Sequence, residues 1–126
     1  MRKFTLGVSL TLLAALAAAS TALAGDPSGV WLRENGKGTV RIAACGAALC
    51  GTVASVRDPD SAAKVGQRVF YGMVPSGENS WTGHAFNPED GKTYNGTMTL
   101  SGNHLTTAGC VLGGLICKTV GWSRVK

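Results

Sequence analysis

Residues 104–124 read HLTTAGCVLGGLICKTVGWSR, and this stretch is nearly symmetric about the Gly-Gly pair at 113–114. A Gly-Gly pair readily adopts the positive φ angles that a tight hairpin turn requires. Folding the stretch at this turn sets two cysteines opposite each other and places Leu105 opposite Trp122. The stretch therefore predicts an antiparallel hairpin with one apolar face, since residues of equal parity share a face.

The rest of the chain repeats this pattern of short strands and turns. No segment has a helical period long enough to predict a helix, and 18 glycines in 126 residues suit tight turns better than helices. The pattern predicts an all-β, eight-stranded antiparallel up-and-down barrel, because closure removes exposed strand edges. The predicted strands cover residues 29–34, 38–45, 49–57, 68–74, 79–86, 92–100, 104–111 and 115–124.

Turn geometry and residue parity predict one apolar interior. An Asn-Gly turn after the first strand places Trp31 opposite Val40, and the loop between the first two cysteines places Ile42 opposite Val53. Strand 68–74 stays ambiguous, because it carries apolar residues at both parities. The predicted interior consists of Trp31, Val40, Ile42, Val53, Trp81, Met98, Leu100, Leu105, Val111, Ile116, Val120 and Trp122.

The four cysteines permit three pairings. Cys45 and Cys50 flank a four-residue loop, and Cys110 and Cys117 flank the Gly-Gly hairpin. Each pair falls directly opposite across its hairpin on the outer face, so we predict the disulfides Cys45–Cys50 and Cys110–Cys117. Chain entropy assigns each about 2 kcal/mol. No Cys-x-x-Cys occurs and no histidine is near either pair, which disfavours a redox or metal site.

The N-terminus has the pattern of a secretory signal peptide. Two basic residues follow Met1, an apolar run covers 4–19, and residues 22–24 form an A-x-A cleavage site. The apolar run is too short to span a bilayer as a helix, which predicts no stable membrane anchor. We expect cleavage after Ala24, leaving residues 25–126 as one domain in a bacterial periplasm or outside the cell.

The formal net charge of +5 is a weak indication of a partner. Without Arg2 and Lys3, ten basic and seven acidic residues remain, and they are scattered along the chain. No basic run of the kind that follows a phosphate backbone is present, so nucleic acid is not an expected partner.

The titratable residues provide few candidates for catalysis. A nucleophile triad needs a histidine beside a nucleophile and a carboxylate; parity places His84 on the outer face, and His104 adjoins a turn. No Gly-x-Ser-x-Gly elbow occurs. We predict no catalytic residue, metal site or cofactor. The loop carboxylates are interpreted as solvated turn residues, although a pair could act in glycoside cleavage: Asp58, Asp60, Glu89 and Asp90.

The topology predicts where a cavity would open. In a meander, the connectors 35–36, 58–67, 87–91 and 113–114 lie at one end, and 58–67 is long enough to act as a partial lid. An eight-stranded barrel is near the minimum that can hold a ligand, so a filled interior without a cavity remains an alternative. If a cavity exists, a small apolar ligand is expected to contact Arg33, Trp81, Tyr94 and Met98.

Two resemblances support a barrel. Gly29-x-Trp31 on the first strand and Arg124 on the last resemble the lipocalin and calycin signature, in which the arginine packs over the tryptophan at the closed end. The chain from about residue 26 to 126 resembles the bacterial exported family called domain of unknown function 2147. The matching segments are 29–31 (GVW), 45–51 (CGAALCG), 64–68 (KVGQR), 87–94 (NPEDGKTY), 109–110 (GC) and 119–124 (TVGWSR).

The family usually has Asp at the position of Asn87, and this departure argues against a catalytic role for residue 87. The resemblance implies a lipocalin-like barrel but supplies no activity, substrate or catalytic residue. Three functions stay open: a binding module for a small apolar or amphipathic ligand, an envelope interaction or structural protein such as an inhibitor of an exported enzyme, and an enzyme such as a hydrolase.

Overall fold

The structure, a computed structural model, describes residues 25–126. The predicted signal peptide and its cleavage site lie outside the described residues. Within the described residues, eight antiparallel strands close into an up-and-down barrel in which each strand pairs with the next and the last pairs with the first. The strands are β1 (Gly29–Arg33), β2 (Gly38–Cys45), β3 (Ala48–Val56), β4 (Arg68–Gly77), β5 (Ser80–Asn87), β6 (Lys92–Ser101), β7 (His104–Val111) and β8 (Ile116–Arg124).

The predicted register is confirmed for the hairpins whose turns are short and rich in glycine. Trp31 pairs with Val40 across β1 and β2, and Leu105 pairs with Trp122 across β7 and β8. A single 3-10 turn, Leu112–Gly114, connects these last two strands. The turn chemistry was sufficient here because Asn-Gly and Gly-Gly pairs stand at the centres of these two four-residue connections and so define the register.

The predicted register of the β2–β3 hairpin is wrong. Its loop has two residues instead of four, so Cys45 pairs with Ala48, and Cys50 is not directly opposite Cys45. Gly46 permits the tighter turn, because its φ of 72° lies in the left-handed region. The disulfide Cys45–Cys50 is nevertheless present, with its Cα atoms 5.6 Å apart.

The tighter turn also changes the partner of Ile42, which pairs with Gly51 instead of Val53. The same turn places Val40 opposite Val53, and a register shift follows only beyond this pair, between Thr39 and Val40. The pairing therefore differs from the prediction by two residues, and a slip of two residues leaves each side chain on its predicted face. Both Ile42 and Val53 are buried for this reason, although their predicted pairing was incorrect.

A second irregularity resolves the ambiguous strand, β4. Phe70 and Met73 are both buried although they have opposite parity. Between them, Gly72 has a φ of 60°, and the pairing with β5 shifts between Tyr71 and Val74. The bulge lets both apolar side chains face inward, and the strand continues to Gly77 instead of ending at residue 74.

The core lies inside the barrel, and part of it lines the cavity described below. Val120 is partly buried against it, whereas two residues predicted as interior are not in the core: Val111 is half-buried and Ile116 is 57% exposed. These two residues flank the β7–β8 turn, which projects beyond the core. The buried cluster consists of Trp31, Val40, Ile42, Val53, Val69, Phe70, Met73, Trp81, Met98, Leu100, Leu105 and Trp122.

Both predicted disulfides are confirmed. Cys110 and Cys117 form a directly paired bridge across β7 and β8, and residues 25–126 contain no free cysteine. Disulfides persist in oxidising compartments outside the bacterial cytoplasm. The two bridges therefore indicate an extracytoplasmic environment.

Candidate functional site

A cavity of about 520 Å³ opens at the end of the barrel that carries the β1–β2, β3–β4, β5–β6 and β7–β8 connectors. This is the end at which the sequence placed a mouth. The long β3–β4 connector contributes Ser61 and Ala63 to the lining, and Ala63 packs against the core. The volume is within the range of small-molecule sites. The principal apolar lining residues are Val40, Val53, Val56, Val69, Phe70, Ala85, Val120 and Trp122.

Two aromatic side chains of the core form part of the cavity wall. Phe70 and Trp122 meet edge to face with ring centroids 6.3 Å apart. The Trp122 indole Nε1 donates a hydrogen bond of 2.9 Å to the buried Thr107 hydroxyl. This bond satisfies a polar group that would otherwise be stranded in an apolar wall, so the indole ring has a fixed position beside the cavity.

The cavity lining also carries three cations, Arg33, Lys37 and Lys118. Arg33 pairs with Trp122 across β1 and β8, and directly paired residues share a face, so Arg33 points into the barrel. Within the described chain, the ion pair found joins His104 to Glu34 at 3.9 Å. None of the three lining cations is therefore held by a carboxylate of this domain.

Tyr94 is fixed at the cavity by Asp90, which lies in the β5–β6 turn. The Tyr94 hydroxyl donates a hydrogen bond to the Asp90 carboxylate, which also accepts the Lys92 backbone N–H at 2.9 Å. These bonds lower the pKa of Asp90 below its usual range, and the bond to Asp90 raises the pKa of the Tyr94 hydroxyl. The hydrogen bond stabilises the charged carboxylate, which lowers the pKa of Asp90. It also holds the proton on the Tyr94 hydroxyl, which raises the pKa of Tyr94.

The four residues predicted to contact a ligand do not all lie together. Arg33 and Tyr94 line the cavity. Met98 is completely buried within the core, and Trp81 is also buried there. Trp81 contacts a smaller cleft of about 300 Å³ at the opposite end of the barrel.

The strand directions could have distinguished residues near the mouth from residues near the opposite end of the barrel. Trp81 follows directly after the β4–β5 turn, which lies at the end opposite the mouth. Val120 and Trp122 were predicted to face inward but were not proposed as ligand contacts, although β8 begins at the mouth. Inward parity combined with position along the strand is the signal that would have favoured Val120 over Trp81. Trp122 lies two residues before the end of β8, so its signal is instead the pairing with Arg33 that closes the barrel.

The end opposite the mouth is where the sequence placed Gly29, Trp31 and Arg124. The Arg124 Cζ atom lies 4.4 Å from the Trp31 ring centroid. The same guanidinium donates hydrogen bonds to the carbonyls of Ser28 at 2.8 Å and Asp26 at 3.0 Å. Gly29 has a φ of 137°, and a Cβ there would collide with the Lys126 carbonyl and crowd Arg124, so a side chain would disturb this arrangement.

Residues 25–28 cross this end of the barrel. The Gly25 N–H donates to the Asn79 side chain at 2.8 Å in the β4–β5 turn, and the Pro27 carbonyl accepts from the Trp31 indole at 2.8 Å. The segment is thus attached to opposite sides of the barrel. Access to the 520 Å³ cavity is consequently from the mouth.

The two histidines do not line the cavity. His84 stacks on Tyr71 with ring centroids 4.9 Å apart, and His104 has its side chain about half-exposed beside Glu34. Within residues 25–126, no group of three His, Cys, Asp or Glu side chains is placed to hold a metal ion. The described residues contain no helix whose length and apolar character would suit a membrane crossing.

The fold and the cavity define a class: a small, disulfide-bridged, eight-stranded up-and-down barrel with one covered end and an apolar cavity at the other. The chain belongs to the family of uncharacterized proteins conserved in bacteria known as DUF2147, which it matches over residues 29–124. Neither the comparison with curated proteins nor that with solved structures gives a match.

Proposed function

We propose that this protein is exported by cleavage after Ala24 and binds a small apolar or amphipathic molecule in the cavity. The observation that supports the proposal is the open 520 Å³ cavity above a core that is otherwise packed. Filling this space with side chains would bury more apolar surface and stabilise the barrel. Because an open cavity does not help the barrel to fold, a bound molecule is the better explanation for its presence at one defined end.

The chemistry of the lining selects the kind of occupant. Phe70 and Trp122 offer an aromatic wall for an apolar body, while Arg33 and Tyr94 offer polar groups beside it. Arg33 faces the interior without a carboxylate partner in this domain, and burying a cation without a partner is costly. The proposed ligand is therefore amphipathic, with its polar or anionic group near Arg33 and its apolar part against Trp122.

The test uses N-phenyl-1-naphthylamine as an apolar probe and laurate as an amphipathic competitor. The exported, disulfide-intact protein should bind the probe at one saturable site, and laurate should displace it. Trp122 is the tryptophan that lines this cavity, so binding should quench protein fluorescence and Trp122→Phe should remove most of that change.

A matched pair of variants on β8 locates the site. Val120 lines the cavity and Thr119 is exposed beside it. Val120→Phe should fill part of the cavity and weaken probe binding by about tenfold or more, which corresponds to 1.4 kcal/mol. Thr119→Phe adds the same side chain outside and should leave the affinity unchanged. Equal affinities for both folded variants, or no saturable probe binding by the wild type, would refute the proposal.

A further inference from the structure

The tip of the β7–β8 hairpin exposes a cluster of large apolar side chains. Leu112 is 67% exposed, Leu115 is 85% exposed and Ile116 is 57% exposed. These three residues lie within five positions of one turn, and the segment from Cys110 to Cys117 carries no charged residue. Single exposed apolar residues are common on protein surfaces, but a cluster on one projecting turn indicates an interaction surface.

Backbone conformation separates Leu112 from an ordinary surface residue. Its φ of 55° lies in the left-handed region, and among the described residues it is the one non-glycine there. Glycine or asparagine would adopt this conformation at lower cost. Because the leucine side chain is largely exposed, burial does not offset the backbone strain. Folding therefore gives no reason for a leucine at this position.

The disulfide Cys110–Cys117 closes the base of this hairpin, with Cα atoms 4.1 Å apart. Above it, the Leu115 N–H donates to the Leu112 carbonyl at 3.2 Å. The bridge and the turn restrict the conformations of the tip before any partner is present. Little conformational entropy is then lost when the tip binds, which favours association.

The tip is also continuous with the cavity. Ile116 and Lys118 line the cavity mouth, so the apolar surface extends from the tip into the lining. Lys37 contributes a second cation to the lining. On the opposite side of the same mouth, the long β3–β4 connector exposes Val65 at 65%. The open end thus combines projecting apolar groups with the cations Arg33, Lys37 and Lys118. The carboxylates in its lining, Glu89 and Asp90, come from the β5–β6 turn.

We propose that the tip, residues 111–116, inserts into the headgroup region of an anionic lipid bilayer and directs the cavity mouth toward that surface. A few apolar side chains next to basic residues are the chemistry of peripheral membrane binding, in which apolar insertion and attraction to anionic lipid act together. A protein partner fits less well, because one turn covers much less area than a specific protein interface requires. The transfer of an amphipathic ligand between the bilayer and the cavity would follow, and that step rests on the proposed function.

The experiment measures sedimentation of the exported, disulfide-intact protein with vesicles of phosphatidylcholine alone and of equimolar phosphatidylcholine and phosphatidylglycerol. The wild type should bind the anionic vesicles. Leu112→Asn combined with Leu115→Ser should lower the partition coefficient by about tenfold or more. Because asparagine accepts the left-handed conformation, this variant should be at least as stable as the wild type.

The matched control removes two apolar side chains away from the mouth. Val74 is 47% exposed near the covered end of β4, and Val125 is 53% exposed beyond the end of β8. Val74→Ser combined with Val125→Ser should leave vesicle binding unchanged. Equal losses in the tip and control variants would overturn the proposal, as would the absence of wild-type binding to anionic vesicles.

A direct measurement places a reporter at the tip. Leu115→Trp should show a blue-shifted emission with anionic vesicles and quenching by brominated lipid, whereas an unquenched tip would show that insertion does not occur.

Probe binding measured without vesicles separates the membrane proposal from the proposed function. The tip variant should retain it, and vesicle binding without any probe binding would support membrane docking alone. A protein that co-purifies through the tip without vesicle binding would overturn the membrane assignment.

Discussion

The Arg124 guanidinium stacks on the Trp31 indole and holds the backbone of residues 26 and 28 at the same end of the barrel. The contact joins the first and last strands to the segment that crosses the end. One planar side chain thus covers the core and helps to close the sheet. Only a guanidinium combines an aromatic stacking face with several directed donors.

Replacing Arg124 should therefore destabilise the barrel. Arg124→Gln loses the stacking and the hydrogen bonds to the carbonyls, and we expect a loss of about 2 kcal/mol in the free energy of unfolding. Arg124→Lys should retain only a part of this stability, because an ammonium group cannot reproduce the planar arrangement of donors of the guanidinium. Urea unfolding measures both. Arg41→Gln, an exposed change on β2, is the control, and an equally large loss there would contradict this interpretation.

The hydrogen bond between Trp122 and Thr107 makes a second prediction. Thr107→Val keeps the side-chain shape but removes the acceptor, leaving a buried indole N–H without its partner. The expected cost is about 1–3 kcal/mol, accompanied by a shift in Trp122 emission. Thr106→Val changes the neighbouring residue, whose side chain faces outward. This substitution should cost less than about 0.5 kcal/mol, which is usual for surface changes. Similar costs for both would show that the bond is unimportant.

The close approach of β4 and β5 leaves no room for a side chain at Gly83. A Cβ there would meet the backbone carbonyl oxygen of Tyr71 at 2.7 Å, and a backbone cannot move aside as a flexible side chain can. Gly83→Ala should destabilise the protein by about 2 kcal/mol or more. At Gly77 a Cβ would make an ordinary contact of 3.6 Å with Ser80, so Gly77→Ala should be tolerated. An unchanged melting temperature in Gly83→Ala would contradict the close approach of β4 and β5 at this position.

The hydrogen bond between Tyr94 and Asp90 should make the stability of the protein depend on pH, both in the acidic and in the basic range. The pKa of Asp90 is lowered mainly by the Tyr94 hydroxyl, so its stabilising contribution is complete above about pH 4 and is lost as pH falls through the folded-state pKa. The pKa of Tyr94 is raised by Asp90. Its contribution is complete below about pH 10 and is lost as pH rises through the folded-state pKa.

Carboxyl-carbon NMR measures this coupling directly. In Tyr94→Phe the pKa of Asp90 should rise toward its usual range, but part of the lowering should remain because the Lys92 N–H still donates to the carboxylate. Tyr71→Phe removes a tyrosine hydroxyl from β4 instead and should leave the pKa of Asp90 unchanged. An Asp90 pKa that does not change in Tyr94→Phe would rule out the hydroxyl as its main cause.

Sequence patterns were most informative where the turn residues mark the centre of the hairpin unambiguously. The Gly-Gly turn at 113–114 and residue parity were sufficient to pair Leu105 with Trp122. The same reasoning failed for the β2–β3 hairpin, because two-residue and four-residue loops are both compatible with its sequence and differ in every pairing that follows. It also failed for β4, where a bulge at Gly72 lets residues of both parities face inward.

The candidate site was predictable only in outline. Strand directions placed the mouth at the correct end, and Arg33 and Tyr94 line the cavity there. Trp81 and Met98 were placed on the correct face, but they lie deeper, within the packed core. Parity assigns a side chain to the inside of a barrel and does not give its depth.

The sequence by itself determined the all-β class, the number of strands, their meander order and the two disulfides, because these depend on local turn chemistry and on a period of two. The tertiary structure alone decided where the bulges occur, how far residues 25–28 reach across one end, and that a cavity of 520 Å³ remains at the other. Those features depend on how the barrel closes and how completely side chains from all eight strands fill it. No single segment of the chain carries that information.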